Sequence, residues 1–116
     1  FLLTQALAPR LAEGRVVANI SSEVGSIGLR QEFRTPSYAI GKAAQNMATS
    51  LLAQALSTRH VTVVALHPGW VRTDMGGQNA ALSVEESAAG LLHRIDRLPP
   101  DDSGHFLDWP VPSLAW

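Results

Sequence analysis

Cysteine is absent from the 116 residues. That excludes disulfide frameworks and thiolate metal sites, and nothing points to an oxidising compartment. A dominant sign of charge is missing too: nine Lys and Arg lie scattered among ten Asp and Glu, for a formal net charge of −1. Such a balance offers no electrostatic footprint for nucleic acid or an anionic membrane. No apolar run approaches the roughly 20 residues that span a bilayer. The opening FLLTQALAPRL has neither a basic n-region nor a small-residue cleavage site, so it does not read as a signal peptide. These absences predict a cytoplasmic protein with no nucleic-acid partner and no membrane partner. An initiator Met is also lacking and the chain begins in mid-pattern, as expected of a fragment.

What is present reads as globular, with 46% hydrophobic and 16% charged residues. Leu2, Leu3, Ala6, Leu7 and Leu11 recur at helical spacing up to Pro9 and Gly14, predicting the tail of a helix. RVVANISS follows as a buried strand of about six residues. The stretch from Glu23 to Thr35, with Gly25 and Gly28, reads as a loop. Thr35, Pro36 and Ser37, capping-type residues, open a helix from Tyr38 to about Leu56. VTVVALHPG is a second buried strand, stopped by Pro68 and Gly69. Ser83-Val84-Glu85-Glu86 starts a further helix, with acidic residues where the dipole favours them and an apolar stripe of Leu91, Leu92, Ile95 and Leu98. Pro99 and Pro100 end it, GHFLDW is a short third strand, and PVPSLAW closes the chain. The alternation implies right-handed crossovers onto a parallel sheet with helices on both faces. Three strands make an incomplete doubly wound sheet, and the first would be an unprotected edge unless more sheet precedes it.

In open parallel sheets the ligand crevice lies beyond the carboxyl ends of the strands. Ser21 and Ser22 end the first strand, HPGWVRTD follows the second, and YAIGK opens the helix between them. Tyr38 and Lys42 are four apart, so they share a helix face. An ammonium near a phenol favours the phenolate, as a general acid for a carbonyl oxygen requires. A serine hydroxyl aimed at the same oxygen would stabilise charge developing there. The spacing alone also suits a solvated helix face for Tyr38 and Lys42, strand-end capping for the serines, and a plain turn for Pro68-Gly69. Trp70 suits pocket lining and plain packing equally. His67 reads as a hydrogen-bonded strand-end residue, and His60, His93 and His105 are too widely spaced for a ligand set, so no metal is expected.

Taken in order, NISS, YAIGK and HPGWVRTDM resemble the C-terminal half of the short-chain dehydrogenase/reductase family, whose strand-end serine, Tyr-x-x-x-Lys and Pro-Gly-x-x-x-Thr motifs run in this sequence. The ending DSGHFLDWPVPSLAW further resembles the C-factor and sniffer-like carbonyl reductase subgroup. The resemblance implies one Rossmann-type NAD(P)-binding domain, represented over residues 1–116 by its C-terminal part. It implies Tyr38 as the proton donor, Lys42 as holder of the nicotinamide ribose and activator of Tyr38, and Ser22, in preference to Ser21, as the group orienting the substrate oxygen. Pro68, Gly69, Val71 and Thr73 would border the nicotinamide, and Trp70 would line the substrate pocket. The cofactor implied is NAD(P)(H), with NADP slightly preferred on family grounds alone. The substrate would be a small carbonyl compound or alcohol, and the full-length protein a homodimer or homotetramer, since this alanine-rich helix builds a dimer interface in the family.

Two departures stand out. Ser22 and Tyr38 are 16 residues apart, longer than is usual in the family, and Arg30, Glu32, Phe33 and Arg34 in the insertion would shape substrate choice. The family's Thr-Gly-x-x-x-Gly-x-Gly turn is absent, and GSIG at Gly25–Gly28 follows the wrong strand with the wrong spacing. The pyrophosphate cradle, and the helix Asn of the family's catalytic tetrad, are therefore expected outside these residues. The alternative reading is a non-catalytic fragment serving as a structural or interaction module. A glycine-rich turn encoded in frame upstream of Phe1 discriminates the two.

Overall fold

The computed structural model describes residues 1–109 and 113–116. Pro110, Val111 and Pro112, part of the PVPSLAW close, lie outside the described residues. Strands β1 (Val16–Ile20), β2 (Thr62–His67) and β3 (Phe106–Asp108) form one parallel sheet in the order β1-β2-β3. Its register runs from Val16 opposite Thr62 to Ile20 opposite Leu66, and from Ala65 opposite Phe106 to His67 opposite Asp108. The helices are α1 (Leu2–Leu7), α2 (Pro36–Leu56) and α3 (Val84–Asp96).

The central strand explains the layering. Every residue of β2 is buried, and alternation sends its side chains to opposite faces. Val63 packs with Leu52, Ala53 and Leu56 of α2. Val64 and Leu66, with Leu107 of β3, pack against Leu91, Ile95 and Leu98. The sheet is thus covered by α2 on one face and α3 on the other, as a parallel sheet requires. Full burial of such a side chain contributes about 1.5–3 kcal/mol, so the stability of the sheet concentrates in β2.

Three expectations are corrected. β1 was expected as a buried strand, yet four of its residues are half-buried and Ile20 is 43% exposed. Among the described residues it pairs only with β2, so its other edge carries no strand. Leu11 was expected on the same helix as Leu2, Leu3, Ala6 and Leu7, but α1 ends at Leu7; Leu2, Leu3 and Leu7 are exposed, and Ala8 and Leu11, beyond that end, reach the core. Pro9 has there turned the chain into a tight turn over Ala8–Arg10. Leu92 is also exposed; Leu91 and Ile95, four apart, carry the packed face of α3 with Leu98.

The two long helices begin differently. α2 starts at Pro36, whose ring is tolerated in a first turn, but Thr35 before it makes no side-chain cap. Thr35 instead takes φ +43°, a left-handed backbone that a β-branched residue enters only under strain. α3 has a complete capping box. Ser83 Oγ accepts from the Glu86 N–H at 3.1 Å, and Glu86 Oε2 accepts from the Ser83 N–H at 2.7 Å.

Candidate active site

β1 and β2 end side by side, and the residues after each open onto one cleft of about 1130 Å³. Ser21 continues the ladder for one more bond, its N–H donating to the Leu66 carbonyl at 2.7 Å. Ser21 is 2% exposed and borders the cleft, and its hydroxyl donates to Asn46 Oδ1 on α2 at 2.5 Å. Ser22 is half-buried and lines the cleft. It caps the short turn Glu23–Gly25, where its Oγ accepts a long bond from the Val24 N–H at 3.4 Å. His67 Nδ1 accepts the Glu23 N–H at 3.4 Å, which ties that turn to the end of β2. Gly25 lets the turn lie on α2: a Cβ there would stand 2.7 Å from the carbonyl carbon and Cβ of Lys42.

Tyr38, the only tyrosine, lies near the start of α2 and lines the cleft. Lys42, one turn on, places Nζ 5.8 Å from the Tyr38 ring centroid. Its ammonium donates to the Ile20 carbonyl and to Gln45 Oε1, both at 3.0 Å, so Lys42 stands behind Tyr38 and does not line the cleft.

The segment after β2 supplies the opposite wall, with Pro68, Gly69, Trp70, Val71 and Thr73 all lining it. Gly69 takes φ +82°, and the Leu82 side chain occupies the place a Cβ would need. Val71 forms a parallel bridge with Leu82, made by Arg72 N–H to Leu82 O at 2.8 Å and Leu82 N–H to Trp70 O at 3.1 Å. Because its neighbours make those bonds, the N–H of Val71 itself faces away from Leu82. Thr73 Oγ1 accepts from the Gly76 N–H at 3.0 Å, and Trp70 Nε1 donates to the Gly76 carbonyl at 2.8 Å. Ser87 of α3, buried, donates to the Pro68 carbonyl at 2.7 Å and holds the start of the segment.

The insertion between Ser22 and Tyr38 forms the remaining wall. Arg30, Glu32 and Arg34 line the cleft, whereas Phe33 is 90% exposed and does not. Arg30 is occupied in bonds to the Val24 and Arg34 carbonyls, and Arg34 pairs with Glu32 at 3.8 Å. Sequence reasoning missed Asn46, Gln45 and Ser87. For Asn46 and Ser87 the available signal was a polar residue at a core position of an otherwise apolar helix face.

The donor set suits one end of a nicotinamide dinucleotide. The Tyr38 phenol can meet a substrate oxygen in the cleft, and the Lys42 ammonium behind it keeps one N–H beyond those given to Ile20 and Gln45 for a ribose hydroxyl at the cleft's edge. Pro68 and Val71 offer apolar surface to a flat ring, and the Val71 N–H and Thr73 hydroxyl can bond a carboxamide. No glycine-rich turn follows a strand at the spacing a pyrophosphate requires. The residues present thus fit the nicotinamide end alone.

Parallel strands, helices on both faces and a cleft at the strands' carboxyl ends define part of an open α/β fold of the dinucleotide-binding class. Residues 1–82 match the family described as short chain dehydrogenase, and the chain belongs to that family. It is 39% identical to C-signal of Myxococcus xanthus over 98% of this chain and 70% of that protein. Among solved structures it superimposes on the carbonyl reductase Sniffer of D. melanogaster with a TM-score of 0.92 and 32% identity. The NADPH-bound carbonyl reductase from chicken fatty liver gives 0.88 and 40%. Each of those alignments covers 99% of this chain but 52% of the solved one, so the chain spans about half the length of these structures. The likeness places it in the sniffer-like carbonyl reductase subgroup of the family.

Proposed function

We propose that the full-length protein is an NAD(P)-dependent oxidoreductase that interconverts a small carbonyl compound and its alcohol, with Ser22, Tyr38 and Lys42 as its reacting set. The observation that carries this reading is the meeting of Ser22, Tyr38 and the Pro68–Thr73 segment round one cleft, with Lys42 one turn behind Tyr38. Support also comes from the solved relatives, two of them carbonyl reductases and one described as NADPH-bound. That NADPH likeness is the ground for favouring NADP(H).

The cofactor supplies the hydride chemistry. Tyr38 gives its phenolic proton to the carbonyl oxygen in reduction and takes it back in oxidation. Ser22 donates a hydrogen bond to the same oxygen, placing it and stabilising the charge that develops there. Lys42 holds positive charge behind Tyr38 and offers donors to the ribose. Pro68, Gly69, Val71 and Thr73 border the nicotinamide, and Trp70, with Arg30, Glu32 and Arg34, shapes the substrate side.

Tyr38→Phe tests the assignment in the full-length protein, with NADPH oxidation followed against a panel of aldehydes and quinones. Loss of the proton donor is expected to lower kcat by about 10²–10⁴-fold, with NADPH affinity little changed. A variant turning over at the wild-type rate refutes it.

A further inference from the structure

The structure assigns to Asn46, we infer, the role of a positioning residue: with Thr49 and Lys42 it locks the register of α2 against the end of β1, and so sets where Ser22 stands relative to Tyr38. The inference rests on the oxidoreductase reading above and deepens it.

Three consecutive residues of the strand end are each bonded to α2. Asn19 Nδ2 donates to Thr49 Oγ1 at 2.9 Å, the Ile20 carbonyl accepts from Lys42 Nζ at 3.0 Å, and Ser21 Oγ donates to Asn46 Oδ1 at 2.5 Å. Positions 42, 46 and 49 are four and three apart, so they form one stripe of the helix. Thr49 is 0%, Ser21 2% and Asn46 3% exposed, so the seam is dry at the helix side of those two pairs, and the bond from Lys42 to Ile20 lies at its exposed end. Thr49 donates onward to the Gln45 carbonyl at 2.9 Å, which leaves its oxygen well placed to accept from Asn19.

Energetics point to alignment and not to stability. A neutral hydrogen bond contributes only about 0.5–1.5 kcal/mol net, and a buried amide must first lose its water. Asn46 Nδ2 is buried and finds no partner among the described residues. An apolar side chain there would fill the space without that cost, but it would tolerate sliding. A helix advances 1.5 Å per residue, so a one-residue slip would strand all three polar pairs. Such penalties for wrong alignment are the best-attested use of buried polar groups.

The lock matters because of what it joins. Ser22 directly follows the strand end, and Tyr38 and Lys42 belong to the helix. The segment between them contains no regular element beyond the short Glu23–Gly25 turn before α2 begins. The seam, with the Gly25 contact on Lys42, is therefore the rigid connection between the serine and the tyrosine. Misplacement by about 1 Å costs on the order of 100-fold in rate.

The test uses the full-length protein with NADPH and para-nitrobenzaldehyde. Asn46→Ala and Ser21→Ala are each expected to lower kcat by about 100-fold, far more than the modest fall in Tm from one lost buried bond would account for, with the KM for NADPH little moved. The double variant should be no worse than either single one, because both remove the same bond. Amide hydrogen exchange at Ser22–Ser26 should rise in each. Additive losses in kcat, or losses that track the fall in Tm, overturn the proposal. Thr49→Val keeps the side-chain shape and serves if Asn46→Ala does not fold; wild-type kcat and exchange in that variant also overturn it. The exchange measurement needs no turnover. A failure of the Tyr38 assignment therefore leaves the exchange result standing, whereas unchanged exchange sinks the seam alone.

Discussion

Gly25 shows how one missing atom shapes this cleft. The turn after Ser22 sits so close to α2 that a Cβ would approach the Lys42 backbone to 2.7 Å and the Ala43 nitrogen to 2.9 Å. Backbone atoms cannot swing aside as a flexible side chain can, so the turn or the helix must move. Gly25→Ala is expected to destabilise the protein by about 1–3 kcal/mol, the usual cost of overpacking. It should also lower kcat more than Tm would suggest, because the displaced turn carries Ser22. Urea melts and steady-state kinetics on the same variant check both, and unchanged stability would show that the turn relaxes freely. The two serines illustrate the same dependence on placement. They are neighbours of one chemical type and both border the cleft, yet the Ser21 hydroxyl is committed to Asn46 while Ser22 makes one weak bond. In the sequence they differ only in position. Alternation along the strand and the register of α2 separate them.

Among the elements, α3 was the most legible, because its signals are local. Ser83 and Glu86 stand three apart, and the structure shows both bonds of the capping box. The backbone N–H of Ser83, then its hydroxyl, hold the Glu86 carboxyl below the usual carboxylate range, with Arg72 adding to the effect. A carboxyl whose native pKa is lowered binds protons less readily folded than unfolded. Its contribution is therefore complete above the ordinary carboxylate pKa and fades as pH falls through the lowered native value. Glu86→Gln should be less stable than wild type at neutral pH, and the difference should shrink in acid. Thermal melts across the acid range measure this, and a gap constant with pH would count against it. α1 and β1 were less legible. Their apolar residues were placed on the right elements, except Leu11 past the end of α1, but burial depends on which surfaces lie opposite. Leu2, Leu3, Leu7 and Ile20 have no cover among the described residues.

For the molecule as a whole, the main consequence of the proposed function is that the cofactor site is divided. The residues suited to a nicotinamide are present, and the glycine-rich turn that would cradle a pyrophosphate does not occur in these 116 residues. The 116-residue chain is accordingly predicted to bind NADPH far more weakly than the full-length protein, as read by calorimetry. Micromolar affinity in the shorter chain would overturn this. The end of the chain also meets the cleft's insertion. Ser26 Oγ donates to the Ala115 carbonyl at 2.7 Å, the Gly28 N–H donates to the Trp116 carbonyl at 2.8 Å, and Trp116 stacks on Phe106 at 5.8 Å. Residues nearly ninety positions apart thus brace one loop. No local pattern announced that contact.

Sequence alone was enough for whatever depends on neighbours within a few positions. It specified the alternation of helices and strands, the capping of α3, the buried run of β2 and the sharing of one helix face by Tyr38 and Lys42. Those follow from periodicity, propensity and turn chemistry, which act over a turn of helix or a few residues of strand. Tertiary structure decided the rest: which serine hydroxyl is tied to α2, that the Lys42 ammonium rests on the Ile20 carbonyl, and that Asn46 and Ser87 anchor the two walls. Each of these joins residues from different elements. Such contacts are set by register and side-chain direction between packed surfaces, and those quantities exist only once the helices lie on the sheet.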